Sequence, residues 1–330
     1  MKITRPIVLS LLLLTCAFAS SQTTRQLAIL EIPGSPGFDG TAVVNGMLLM
    51  SHGGAGTVDI FDPAKRRLIA HVKNMSDPRG IAVDSKGELI FIANNGAKNI
   101  VVLSSENWQV KGTIPVSGAP VELAYVPAWN LLVASDRNRQ QLMLVDPVAQ
   151  RQIGTKSLPG TPAGLAFDAR RSLLFVTLQD AKAVAGLTRQ MQIVKRFSLR
   201  ASQPTGIVYD PKLDRLYVAV RYAVLSLNAN SGNELSRVPA DAGIDRLWLD
   251  SDSGLLYGAA GGSLLVMQAD QRLHAIDEVA TEVKGYSVAY DPERKLIYFP
   301  GGRDGQSKLL LMRPPTVSAA TDVPAEAKLQ

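Results

Sequence analysis

The chain has 330 residues, of which 46% are hydrophobic and 19% charged, and a formal charge of +6. That length holds one large domain or two ordinary ones, and so apolar a composition excludes a largely disordered chain. The basic residues are scattered without a Lys/Arg run and aromatics are only 6%, which argues against a nucleic-acid surface built on phosphate contacts and base stacking.

The first expected element is an export signal. Lys2 and Arg5 form a basic n-region, Ile7 to Leu14 an apolar run, and Ala17-Phe18-Ala19 a small-x-small cleavage site. The apolar run is too short to cross about 30 Å of hydrocarbon as a helix, so no transmembrane segment is expected. The reading is a signal peptide over 1–19, cut after Ala19, and a mature protein that is periplasmic or secreted. Cys16, the single cysteine, offers a minor alternative as a lipid-anchor site, weakened by Thr15 standing where Gly, Ala or Ser is usual. Cleavage after Ala19 removes that thiol, and with it any disulfide, cysteine nucleophile or cysteine-ligated metal. It also lowers the formal charge to +4 by removing Lys2 and Arg5.

The rest of the chain repeats. Pro36, Pro78, Pro120, Pro162 and Pro204 stand 42 residues apart, and Tyr217, Tyr257 and Tyr298 follow at 40 and 41. Asp84, Asp168, Asp210, Asp250 and Asp291 mark a second recurring position. Unit starts fall at Phe38, Gly80, Glu122 and Gly164, then at Gly206, Arg246 and Ser287. Within the third unit, ELAYV, LLVAS, QLMLV and RQIGTKSL are apolar runs separated by PAWN, DRNRQ and DPVAQ, which is strand-and-turn grammar. Helical periodicity fits nowhere for more than two turns. Four strands in about 40 residues is a propeller blade. The expected fold is therefore an all-β, seven-bladed β-propeller of four-stranded antiparallel blades over 20–314.

The ends fit closure of a ring. The last unit stops after three strands, and RQLAILEIPG at 25–34 is an orphan fourth strand ahead of the first unit. Joining them completes the last blade without an exposed edge. Residues 315–330 are small and polar, the expectation for a flexible tail.

The copies GIAVDSKGELIFIAN at 80, GLAFDARRSLLFVTL at 164, GIVYDPKLDRLYVAV at 206 and the one at 287 resemble the YVTN-family β-propeller repeat. The resemblance spans about 25–314 and implies an exported bacterial propeller; it implies little about activity. Related propellers include quinoprotein amine dehydrogenase subunits, lactonases and streptogramin lyases.

Repeated aspartates, and Asp62-Pro63 and Asp146-Pro147, are expected to serve turn geometry, so function is sought where the units differ. At the channel end of the inner strands the position before each unit start reads Gly37, Arg79, Val121 and Ala163, then Thr205, Asp245 and Tyr286. Together with Glu122 and Arg246 at the starts themselves, this marks Arg79, Glu122, Asp245, Arg246 and Tyr286 as candidate ligand contacts. The loops between second and third strands add His52, Asn94, Asp136, Arg221 and Arg303. No HxH, HExxH or GxSxG spacing occurs, so neither a metal centre, a cofactor nor a catalytic residue is expected. Two metal arrangements stay open: His52 with Glu122 and Asp245, or calcium on Glu122 and Asn94 as in propeller lactonases. The expected function is binding, without catalysis, of a partner protein, peptide or small ligand around the channel. The alternative is a lactonase-like hydrolase or lyase using acids at the channel mouth.

Overall fold

The computed structural model describes residues 23–316; the expected signal peptide, Cys16 and the tail from 317 onward lie outside the described residues. The described chain is nearly all strand, twenty-eight in number, with one 3-10 turn at Pro127–Trp129. Among the described residues no helix is long and apolar enough to cross a membrane.

The first strand, β1 (Arg25–Ile32), stands apart from the sheet that follows it in the chain. That sheet runs β2 (Phe38–Val44), β3 (Met47–His52), β4 (Thr57–Asp62) and β5 (Arg67–Val72), each antiparallel to the next. Four more four-stranded sheets repeat the pattern. They begin with β6 (Pro78–Val83), β10 (Leu123–Val126), β14 (Pro162–Asp168) and β18 (Ile207–Asp210). The remaining strands form one eight-stranded sheet. It starts at β22 (Leu247–Asp250) and passes through β23 (Leu255–Ala259), β24 (Gly261–Gln268) and β25 (His274–Gly285) to β27 (Leu296–Arg303). There β26 (Ala289–Asp291) pairs with β27, and β28 (Gln306–Arg313) carries β1 on its other edge. The inner strands touch in sequence from β2 to β26, and β26 touches β2, so the ring is closed.

The expected seven separate four-stranded blades are therefore corrected to five such blades and one eight-stranded sheet. The cause lies in the connection after β24. Three of the other outer strands end at or just before a proline, at Pro115, Pro159 and Pro239. Between His274 and Gly285 there is no proline, and Val279, Thr281 and Val283 favour extended backbone. The strand runs for 12 residues, and Lys284 pairs with Gly302 of β27, so hydrogen bonding continues from one part of the sheet into the next.

Packing follows from strand position. β4 is buried at every residue because both of its faces meet neighbouring sheets, whereas the outer β5 alternates exposed and covered. Core clusters therefore bridge sheets: Leu49 and Ile60 of the first pack with Ile90 and Ile92 of the second. Each such side chain stabilises the fold by roughly 1.5–3 kcal/mol on burial. The seam between first and last sheets is filled by Leu48, Met50 and Phe61 against Tyr298 and Leu309.

The recurring aspartates hold the hairpins at the end of the strands remote from the candidate contacts. Asp210 Oδ1 accepts the backbone N–H of Lys212 at 2.8 Å and of Leu213 at 3.2 Å, and Asp168 and Asp291 repeat the arrangement with the residues two and three further on. Asp62 and Asp146 cap their turns in the same way. The hydroxyls of the buried Tyr217 and Tyr298 point at Asp210 and Asp291. These acids are consumed by local turn geometry.

Candidate ligand site at the channel mouth

Three of the inner strands, β2, β6 and β14, open with the same local shape. Pro78 of β6 lies opposite Asn94 with a register shift before Ile81, and Pro162 of β14 lies opposite Leu178 with a shift before Leu165. In β2 it is Phe38, opposite His52, that precedes the shift before Thr41. Phe38 is thus equivalent to Pro78, Asp39 to Arg79, and Gly40 to Gly80. Aligning the first unit on Pro36 put Gly37 and Phe38 at these positions; the pairing moves them by two residues and brings Asp39 to the channel.

Glycine at the next position has a packing cause. A Cβ on Gly80 would sit 2.7 Å from Val121 O, and one on Gly164 would sit 2.5 Å from Thr205 O. Its absence lets the neighbouring inner strand close in, with Gly80 N–H donating to Val121 O at 2.8 Å. Where the sequence instead places Glu122 and Arg246, the side chains line the channel. Ser287, at the equivalent site beside β2, donates its hydroxyl to the Asp39 carbonyl.

The charged residues join into one chain of ion pairs. Arg246 Nη2 lies 2.6 Å from Asp39 Oδ1 and its Nη1 lies 2.7 Å from Glu122. The other Asp39 oxygen takes Arg79 Nη1 at 3.0 Å, and Arg79 also holds Asp77 at 2.9 Å. Residues 207 and 124 positions apart are thus fixed by a single guanidinium.

Side chains of Asp39, Glu122 and Arg246 keep only about a fifth of their surface open, toward the channel, and protein surrounds the rest. Burial pushes the Glu122 carboxyl up; Arg246 opposes this and the Asp39 charge adds to it. For Asp39, burial is again the largest single influence and upward, but Arg246 and Arg79 together outweigh it and hold the carboxyl below its ordinary value. Arg246 is held firmly cationic, since its two carboxylates outweigh the cost of burial.

This network floors a cavity of about 460 Å³, within the range of small-ligand sites. Arg79, Glu122, Asp245, Arg246 and Tyr286 all line it, so five of the ten candidate contacts come together. The Tyr286 ring is half exposed on the rim. The Asp245 carboxylate, exposed at the rim, makes no hydrogen bond or ion pair among the described residues; partial desolvation by the surrounding wall and the Asp39 charge push it up, against the pull of Arg246, Arg137 and Arg79.

The other five lie elsewhere. His52 is fully buried, with Nδ1 on Asp59 at 2.7 Å, Nε2 near Ser35 O and Ser307 Oγ, and its ring stacked on Phe38. Asn94 is buried and spends its amide on the Ser76 N–H and Asn99. Asp136 caps its own loop through the N–H groups of Asn138 and Arg139. Arg303 turns outward to Glu282 and Asp304. Arg221 stands over the Tyr222 ring and lines an adjoining cavity of about 700 Å³, which it shares with Asp245. Neither metal arrangement assembles: His52 and Asn94 do not line the cavity that holds Glu122 and Asp245, and no three His, Cys, Asp or Glu side chains are grouped to hold a metal among the described residues.

Sequence reasoning passed over Asp39, Asp77 and Trp248. Asp39 was hidden by the proline-based register. Trp248 carried a usable signal, two residues beyond Arg246 on the same inner strand.

The chain matches no protein-family model and no curated protein by sequence. Solved structures resemble it in fold. A chain of the hydrazine synthase of Kuenenia stuttgartiensis superposes with a TM-score of 0.73 at 13% identity, covering 85% of this chain and 96% of that one. A chain of a mitotic checkpoint complex superposes with a TM-score of 0.72, also at 13% identity, covering 94% of this chain and 97% of that one. At that identity the likeness establishes the β-propeller fold alone.

Proposed function

We propose that this chain is an exported β-propeller of the YVTN type, cut after Ala19, whose domain from residue 20 to 314 binds a ligand at the charged channel mouth without transforming it. The observation that supports this most is the Arg246 clamp. Binding Asp39 and Glu122 from distant strands fixes polar groups around a cavity before any ligand arrives, which lowers the ordering cost of binding. A lactonase-like reading draws on the raised carboxyls of Glu122 and Asp245, since acid catalysts need such shifts. Glu122, however, is already engaged by Arg246, and no three His, Cys, Asp or Glu side chains are grouped to hold a metal among the described residues.

The test is native mass spectrometry of the protein purified from the cell envelope. One ligand per chain is expected, unchanged in mass, on a polypeptide starting at Ser20. Ala163→Trp fills the mouth with bulk while leaving the ion pairs in place, and should remove that mass. A ligand retained by Ala163→Trp contradicts the site; release of a chemically altered ligand contradicts binding without catalysis.

A further inference from the structure

The cavity at the mouth adjoins a further stretch of the channel whose lining side chains are mostly apolar, with strand backbone exposed between them. It shares Leu165, Ile207, Val208, Leu247 and Trp248 with a second cavity of about 370 Å³, which continues along the inner strands to Phe167 and Tyr209. At the mouth two charged side chains lack a hydrogen-bonded partner of opposite charge. The Asp245 carboxylate has no hydrogen bond or ion pair among the described residues, and the Arg137 guanidinium has a single hydrogen bond there, to the neutral Gln179 Oε1. Both side chains line the mouth cavity and the adjoining rim cavity, so they face the same space without pairing with each other. The remaining charges at the mouth are already matched, Arg246 to Asp39 and Glu122, and Arg79 to Asp39 and Asp77.

An unpaired carboxylate beside an unpaired guanidinium complements a ligand that carries an ammonium and a carboxylate together. The guanidinium keeps donors free for a bidentate hold on a carboxylate. The apolar wall leading away from this pair would cover a hydrocarbon or aromatic body. We propose that the mouth binds a free α-amino acid with a large apolar side chain: carboxylate on Arg137, ammonium on Asp245, side chain against Trp248, Leu247 and Val208. This rests on the binding reading given above and specifies its ligand class.

Isothermal titration of the mature chain with L-phenylalanine and three cut-down analogues tests it. Phenethylamine lacks the carboxylate, 3-phenylpropionate lacks the ammonium, and glycine lacks the body. Phenylalanine should bind at one per chain and shift Trp248 fluorescence, with each analogue weaker by at least about tenfold. Asp245→Asn should weaken phenylalanine and phenethylamine by at least about tenfold and leave 3-phenylpropionate unchanged. Arg137→Gln should weaken phenylalanine and 3-phenylpropionate and spare phenethylamine. Both residues are exposed on the rim, so thermal midpoints should stay at the wild-type value. No phenylalanine binding, equal binding of an analogue lacking one charge, or wild-type affinity in both variants would overturn the assignment. If these probes fail while another ligand is still displaced by Ala163→Trp, the amino-acid assignment falls and the binding site stands.

Discussion

Arg246→Met lowers the unfolding free energy by about 3–5 kcal/mol at neutral pH, because two carboxylates are left together at the channel without their shared cation. Asp39 retains Arg79, but Glu122 retains only the Leu123 backbone N–H and no cation. The loss depends on pH, and the direction follows from Glu122. A carboxyl raised in the folded state binds its proton more readily there than in the unfolded chain. Its penalty is absent below the ordinary value of 4.5 and grows as pH rises from there through the raised value. Removing Arg246 raises that carboxyl further, so the deficit of the variant narrows on acidification toward about pH 4.5 and widens toward neutrality. Asp39 acts in the opposite sense. Its lowered carboxyl contributes stability above 3.8 that is lost only as pH falls through the folded value. Glu122→Gln provides the contrast, since the amide can still accept from Arg246 and one raised acid disappears; a change within about 1 kcal/mol is expected. Urea unfolding across the acid-to-neutral range reads both variants. Equal losses in the two, or a deficit in Arg246→Met that does not vary with pH, contradicts the clamp.

The second large effect lies at the seam of the ring. His52→Ala costs about 3 kcal/mol or more, because the fully buried Asp59 loses a principal partner while staying out of water. His52 joins three parts of the chain: Asp59 in β4, Ser35 between β1 and β2, and Ser307 in β28. Burial alone would raise the Asp59 carboxyl, but its bonds to His52, His71 and Thr57 outweigh that and hold it down. This part of the stability is present above 3.8 and lost as pH falls through the depressed value. His71→Ala removes a partner that is more than a third exposed and should cost less than about 1 kcal/mol. Chemical unfolding measures the totals, and amide exchange in β28 should speed up in His52→Ala alone. Similar costs for the two histidines would remove the seam's special role.

These effects also mark how far the sequence could be read. Strand periodicity, the aspartate turns and the orphan strand at 25–32 were legible because each is a local pattern of residue types. The merging of the last sheets was not. It depends on the absence of a proline between His274 and Gly285, and an absence carries less weight than the 42-residue proline ladder. That Arg79, Glu122, Asp245, Arg246 and Tyr286 gather at one mouth was legible because a ring places equivalent positions together. His52 was misleading: its place in a loop between strands suggested a ligand contact, yet the imidazole is stacked on Phe38 and buried against a carboxylate from its own sheet. Asp39 needed the observed pairing of Phe38 with His52, because Pro36 offered a regular but shifted register.

The central claim is that function sits where the repeated units differ, at the charged mouth, and away from the hairpins where they agree. Hydrogen–deuterium exchange of the envelope-purified protein, compared before and after its ligand is stripped, tests this directly. Bound ligand should slow exchange at 79–81, 121–123, 205–208 and 245–248, and leave the turns at 210–215 and 291–296 unchanged. Protection centred on those turns, or none at the mouth while ligand is bound, would contradict the account.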